Sequence, residues 1–196
     1  MTMHRRVVCL ALTALLAVAC SADKPAFKNI DITGATYAQA LNLPDVDGKP
    51  RTLADFKGKV PVVFFGYAQC PDVCPGTLAE IAEARQRLGA DGARVQPVFV
   101  TVDPERDSAA VLKAYVAGFG SDVVALRGNL EQTQAAAKEF KIFFAKVPGK
   151  TPDSYTIDHT AGAFVFDPQG RVRLFVRYGA GVDALTSDLK LLLGGA

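Results

Sequence analysis

A chain of 196 residues, 49% hydrophobic and 21% charged, suits one globular domain with an appendage and is long enough to bury a core. Its 22 basic and 20 acidic residues leave a formal charge of +2, a surplus equal to Arg5 and Arg6 near the N-terminus. So balanced a chain, with no basic stripe interleaved with aromatics, argues against nucleic acid or an anionic membrane surface as a partner selected by charge.

The first residues, MTMHRRVVCLALTALLAVAC, open on a short basic patch, run apolar from Val7 to Val18 and end on small residues before a cysteine. This is the layout of a secretory signal, and the apolar run is shorter than the roughly 20 residues a membrane-spanning helix needs. Its close, AVAC, resembles a bacterial lipoprotein signal, with Ala17 where that pattern most often has leucine. Residues 1–19 are therefore expected to be a lipoprotein signal peptide, and Cys20 the lipid anchor of an exported, membrane-anchored protein on the periplasmic face. Two acyl chains suffice for stable attachment at about 0.8 kcal/mol per buried methylene. Ser21 beside the anchor leans toward the outer membrane. Small, polar, weakly periodic residues then predict a partly ordered tether over 20–39, leaving 40–196 as the domain.

Within the domain, LPDVDGKPRTLADFKGK carries an Asp47-Gly48 turn between two short strand-like pieces, and Leu53 to Lys57 has the length of one helical turn. VPVVFFGYA is a continuous apolar run rich in β-branched and aromatic residues, the pattern of a strand buried on both faces. PGTLAEIAEARQRLGADG follows as a helix, with Leu78, Ile81, Ala82, Arg85 and Leu88 at helical spacing, Pro75 at its start and glycine at its end. The alternation repeats: ARVQPVFVTV as a strand, DPERDSAAVLKAYVAGFG as a helix, VVALRG as a short strand, and NLEQTQAAAKEFKIFFAKV as a helix running into an extended stretch. HTAGAFVFDPQGRVRLFVRYG reads as a hairpin turning at Asp167-Pro168-Gln169-Gly170, and DALTSDLKLLLGG as a last helix. The expected class is α/β: a thioredoxin-like fold with a central mixed sheet flanked by helices, closed by a C-terminal β-hairpin and helix.

Of four cysteines, Cys9 leaves with the signal and Cys20 carries lipid, so Cys70 and Cys74 remain. They fall where a helix opens, a position whose dipole and free N–H groups favour thiolate. Their C-x-x-x-C spacing puts the sulfurs one helical turn apart, suited to two ligands on one ion, while a disulfide stays feasible if the Cα atoms come within about 7 Å. A structural disulfide, a redox couple and a metal site all remain open on spacing alone. Of two histidines, His4 lies in the signal and His159 at the entrance to the hairpin, on the side that faces the thiols in such a fold. Two soft thiolates and an imidazole suit copper, whereas structural zinc normally takes four protein ligands. Asp103 before Pro104 is expected to cap a helix; the alternative is that Asp103 or Asp72 tunes the site from behind its ligands, with Asp158 beside His159 as a candidate to orient the imidazole.

FFGYAQCPDVCPGTL, VFVTVDPERDSAAVLKAY and YTIDHTAGAFVFDPQGRV resemble the signatures of the Sco/SenC family of copper-binding assembly factors, over about Phe27 to the C-terminus. The resemblance implies a copper ion bound by Cys70, Cys74 and His159. It also implies delivery to the dinuclear copper centre of cytochrome c oxidase subunit II, with other periplasmic copper carriers or thiol reductants as further partners. Some members of the family act mainly as reductants of that subunit's cysteines, and many are held by a transmembrane helix. The expected function is a copper chaperone with an open three-coordinate site. The alternative is a thiol:disulfide oxidoreductase with Cys70 and Cys74 as its catalytic redox pair. A peroxidase is disfavoured, because the thiols lack a Pro-x-x-x-Thr-x-x-Cys setting. Mass spectrometry of the membrane-bound protein is expected to find Cys20 diacylated at a new N-terminus; a free Cys20 thiol or a cut elsewhere removes the anchor.

Overall fold

The computed structural model describes residues 26–151 and 154–196, so the expected signal peptide and Cys20 lie outside the described residues. A six-stranded sheet forms the centre, in the order β1 (Ile30–Asp31), β10 (Val172–Arg177), β9 (Gly162–Phe166), β4 (Val60–Gly66), β5 (Val95–Thr101) and β6 (Val124–Leu126). β4, β5 and β6 run parallel, while β9, β10 and β1 complete the sheet antiparallel. Every residue of β4 and β5 is buried, as their unbroken apolar runs predict. Two small two-stranded sheets lie outside: β2 (Asn42–Pro44) with β3 (Pro50–Thr52), and β7 (Phe144–Pro148) with β8 (Tyr155–His159).

Helices cover both faces. α1 (Val73–Arg87) packs against α4 (Val182–Leu193) on one side. α2 (Ala109–Ala117) brings Tyr115 onto Phe99 of β5, at 5.5 Å between ring centroids. On the other side Phe140, which ends α3 (Leu130–Glu139), packs on Phe65, Phe164 and Phe166. Phe64 and Phe65 thus serve opposite faces of one strand, as the period of two requires. α3 starts with a capping box between Asn129 and Gln132. Among the described residues no helix is long and apolar enough to cross a membrane.

Three sequence expectations need revision. The helix expected from Asp103 begins instead at Ala109, with Ser108 as the N-cap accepting from the Val111 N–H at 3.2 Å; Asp103 to Asp107 form a turn before it. The extended stretch after α3 pairs with residues 155–159, a strand too short and too polar to stand out in the sequence. Finally, residues from Phe27 onward, which composition groups with the tether, are docked on the domain. Asp188 of α4, fully buried, accepts the backbone N–H groups of Lys28 and Asn29, both at 2.8 Å, and β1 pairs with β10. A single buried carboxylate satisfies two backbone donors there, which local hydrophobicity does not signal.

Candidate metal centre

The loop from Tyr67 to Asp72 leaves the C-terminal end of β4, and α1 begins immediately after it. Cys70 therefore sits in the loop and Cys74 in the first turn of the helix. The Cys74 N–H points at the Cys70 sulfur at 3.4 Å, the contact a metal-bound thiolate accepts. The loop is anchored from below: the Ala68 N–H donates to Asp107 at 3.1 Å, and the same carboxylate oxygen accepts the Thr101 hydroxyl at 2.6 Å. Both thiols are free, Cys74 buried and Cys70 half-buried.

His159 ends β8 and presents its ring to the thiols, with Nε2 3.4 Å from the Cys74 sulfur. Its Nδ1 lies 3.1 Å from the Thr160 carbonyl oxygen. A carbonyl only accepts, so Nδ1 carries the proton and Nε2 is left with its lone pair toward the sulfurs, the tautomer that ligates metal. Tyr67 and Phe64 hold the ring edge-on, at centroid distances of 5.9 and 6.0 Å. Burial lowers the imidazole pKa, opposed by the Thr160 bond, so the ring is neutral at pH 7.

The donor atoms of Cys70, Cys74 and His159 lie within 4.8 Å of one another, and among the described residues they are the one cluster of this kind. Three donors around one ion at about 2.0 to 2.3 Å stand roughly 3.5 to 4.0 Å apart, so Cys74 and His159 are already at ligand spacing and the widest pair of the cluster closes by up to about 1 Å. The Cys74 sulfur departs from expectation. Burial pushes the Cys74 thiol well above its usual range despite its place at a helix start, because losing water outweighs the helix dipole. A neutral thiol waits there, and an incoming soft cation would displace its proton.

The aspartates expected around the site have separate fates. Asp103 is buried and caps nothing: it accepts the Tyr155 hydroxyl at 2.9 Å and Arg106 Nε at 2.5 Å. Arg106 lies 3.5 Å over the Tyr155 ring and donates to the Tyr155 carbonyl at 2.8 Å, so Asp103 and Arg106 pin the strand that carries His159. Asp158 is exposed on the opposite face of β8 and does not orient the imidazole; the Thr160 carbonyl does. Asp72 occupies the N-cap position of α1 without capping it and accepts the Tyr178 hydroxyl at 3.3 Å. By sequence alone Tyr67, Thr160 and Tyr178 do not stand out, and Asp107 appears only as part of VTVDPERD with no role at the thiols. The aromatic run FFGY directly before the thiols is the available signal for Tyr67, and Thr160 is the residue after His159; Asp107 and Tyr178 are joined to the site only by folding.

The mixed sheet, its flanking helices and a thiol-bearing loop at the end of the first core strand define a thioredoxin-like protein with a three-donor soft-metal cluster. Residues 31–194 match the SCO1/SenC family model, and the chain belongs to that family. The mitochondrial SCO2 homolog of Mus musculus is 36% identical over 140 residues, 70% of this chain and 54% of its own length. The chain spans about half the length of the curated relatives it matches. Among solved structures, ScoI of Bradyrhizobium japonicum with copper bound is similar at a TM-score of 0.70 and 36% identity, over 79% of this chain and 98% of that one. A SCO1/SenC family lipoprotein from Bacillus anthracis is similar at 0.66 and 28% identity, over 78% of this chain and 92% of that one.

Gly66 shows how little room the site has. A Cβ there would stand 2.7 Å from the Cys74 sulfur, with Phe64 at 2.9 Å and Phe99 at 3.1 Å closing the other sides. Gly66→Ala is expected to cost about 1 to 3 kcal/mol of stability by overpacking. By displacing the sulfur it should also weaken Cu(I) binding at least about tenfold in a chelator competition; unchanged affinity would mean that Cys74 does not ligate.

Proposed function

We propose that this protein is a copper chaperone that holds one copper ion through Cys70, Cys74 and His159 and passes it to the dinuclear copper centre of cytochrome c oxidase subunit II. The observation that carries this reading is the convergence of two sulfurs and an imidazole Nε2 within 4.8 Å. Family membership and the copper in a relative at 36% identity support it. Copper is the cargo, and three protein donors leave a coordination position through which a partner's thiolate can enter, so the ion is exchanged between ligands without release to water. We further propose that residues 1–19 are a signal peptide and that Cys20 anchors the protein by lipid on the periplasmic face; the lipoprotein relative supports the anchor.

One observation favours a second reading, a thiol:disulfide oxidoreductase. The thiols are unequal: Cys70 is half-buried and reachable, and Cys74 is buried with His159 Nε2 3.4 Å from its sulfur. In that reaction the Cys70 thiolate attacks a partner disulfide and expels one partner thiolate. Cys74, giving its proton to His159, then attacks the Cys70 sulfur and expels the second. The partner gains two electrons, and Cys70 and Cys74 are left as a disulfide, which removes both sulfur ligands from the metal site.

Metal analysis of the reduced protein separates the two. Wild type is expected to hold one copper per chain, and Cys70→Ala, Cys74→Ala and His159→Ala to lose it; copper uptake unaffected by His159→Ala would sink the ligand set. If His159→Ala loses copper but still reduces a disulfide substrate, both activities exist and the histidine's main role is in the metal site.

The sign of the pH dependence follows from Cys74. Its thiol is raised by burial and therefore protonated at neutral pH, so binding must release that proton, and alkali favours binding. Copper affinity is expected to rise about tenfold per pH unit for this proton alone between pH 6 and about pH 8, read by Cu(I) competition. His159, whose pKa burial lowers, contributes a slope only at the acid end and none at alkaline pH, so the Cys74 proton sets the rise toward about pH 8.

A further inference from the structure

The three donors come from two separate segments, the thiol loop at 70–74 and the turn at 159–161, and the chain must keep them in register. On the buried side Tyr67 does this: its carbonyl accepts the Cys70 N–H at 3.2 Å, its hydroxyl accepts the Ile157 N–H at 3.3 Å, and its ring abuts His159. On the solvent side a second tyrosine spans the same two segments. Tyr178 follows β10, and its N–H donates to the Ala161 carbonyl at 3.2 Å, two residues beyond His159. Its hydroxyl donates to Asp72 at 3.3 Å, and Asp72 lies midway between Cys70 and Cys74. Its ring lies against Gly76, where a Cβ would come within 3.2 Å of Tyr178 Cε2.

Two further features single this contact out. Asp72 stands at the N-cap of α1, where an aspartate normally accepts a first-turn N–H, yet its side chain makes no cap bond and turns to Tyr178 instead. Tyr178 is 40% exposed, against 2% for Tyr67, so it is the tie that a docking partner can reach. The carboxylate beside it raises the phenol's pKa, which keeps the hydroxyl a donor at neutral pH.

We propose that Tyr178 is a positioning residue, a solvent-side clamp that holds the thiol loop against the His159 turn through Asp72 and so sets how slowly the three-donor site gives up its metal. This rests on the copper reading given above. Tyr67 fixes the buried edge permanently, while the exposed Tyr178 to Asp72 bond is the one that a partner protein approaching the open coordination position would disturb. Losing that bond lets the loop bearing Cys70 move away from His159, which opens the site for ligand exchange.

The test compares full-length reduced wild type with Tyr178→Phe, Asp72→Ala, the Tyr178→Phe/Asp72→Ala double variant and Asp72→Asn, which keeps an acceptor oxygen. Copper loss to a Cu(I) chelator is expected to be about 2- to 10-fold faster in Tyr178→Phe and in Asp72→Ala. The double variant should be no faster than either single one, because both remove the same bond. Asp72→Asn should stay within about twofold of wild type. With Cu(II), the thiolate charge-transfer band should shift in the first three variants and not in Asp72→Asn, a change that a merely structural role would not produce. A copper-free readout is hydrogen exchange of the metal-free reduced protein. The Gly76 amide, bonded to the Asp72 carbonyl, and the Tyr178 amide, bonded to Ala161, should exchange faster in Tyr178→Phe. If wild type takes up no copper, the chaperone reading fails, and the exchange experiment still decides the clamp. Release rates and band positions matching wild type overturn the proposal, as do unchanged Gly76 and Tyr178 exchange or additive effects in the double variant.

Discussion

Everything at this site depends on one contact across 85 residues of sequence, the Cys74 sulfur against His159 Nε2 at 3.4 Å. Sheet topology makes it possible. β4 and β9 are antiparallel neighbours, with Phe64 opposite Ala163, so the end of β4 and the beginning of β9 lie at the same edge of the molecule. The loop leaving the first strand and the turn entering the second then face each other. No local preference of either segment could bring a thiol helix and a histidine turn together; a pair of hydrogen-bonded strands does so as a by-product of forming the core.

Burial then determines what those donors are. A thiol at a helix start should be acidic, since the unpaired amides and the dipole favour a negative sulfur. Cys74 instead sits where water cannot follow, packed so closely that Gly66 has no space for a methyl group, and the desolvation cost of a thiolate dominates. Cys70, in the loop and half-buried, keeps contact with solvent. The two sulfurs of one motif therefore differ in surroundings, one buried with its thiol held protonated by the loss of water, the other reachable from solvent. The same asymmetry makes thiol chemistry and metal binding alternatives at a single site.

The surrounding residues act by restricting motion. Asp107 holds the loop from beneath through Ala68 and Thr101, while Asp103 and Arg106 hold β8 through Tyr155. These ties are hydrogen bonds to backbone and between side chains, together with a cation over a ring, and they hold the elements behind the ligands and leave the ligands themselves free to close on an ion. Part of the sequence motif VTVDPERD thus serves the site at second hand: its first aspartate steadies the histidine's strand and its last one the thiol loop.

Much of this was legible before folding. The strand at 60–66, the parallel alternation after it, the hairpin and the last helix follow from hydrophobic periodicity and turn residues, and the thiol spacing with a lone downstream histidine points to a soft-metal site, because those signals are local in the chain. Three features were not legible. β8 is a polar strand of Tyr155–His159 whose pairing with β7 carries the pattern that its own sequence lacks. Asp103 looks like a helix cap because proline follows it, yet its carboxylate is taken by Arg106 and Tyr155, the latter 52 residues away. Phe27 onward looks like a tether because the one carboxylate that docks it, Asp188, lies in α4. Local chemistry thus determined which elements form and which donors are available. Tertiary structure alone decided how far apart those donors stand, how far burial raises the Cys74 thiol and which polar groups hold the donors, since distance and desolvation depend on residues remote in sequence.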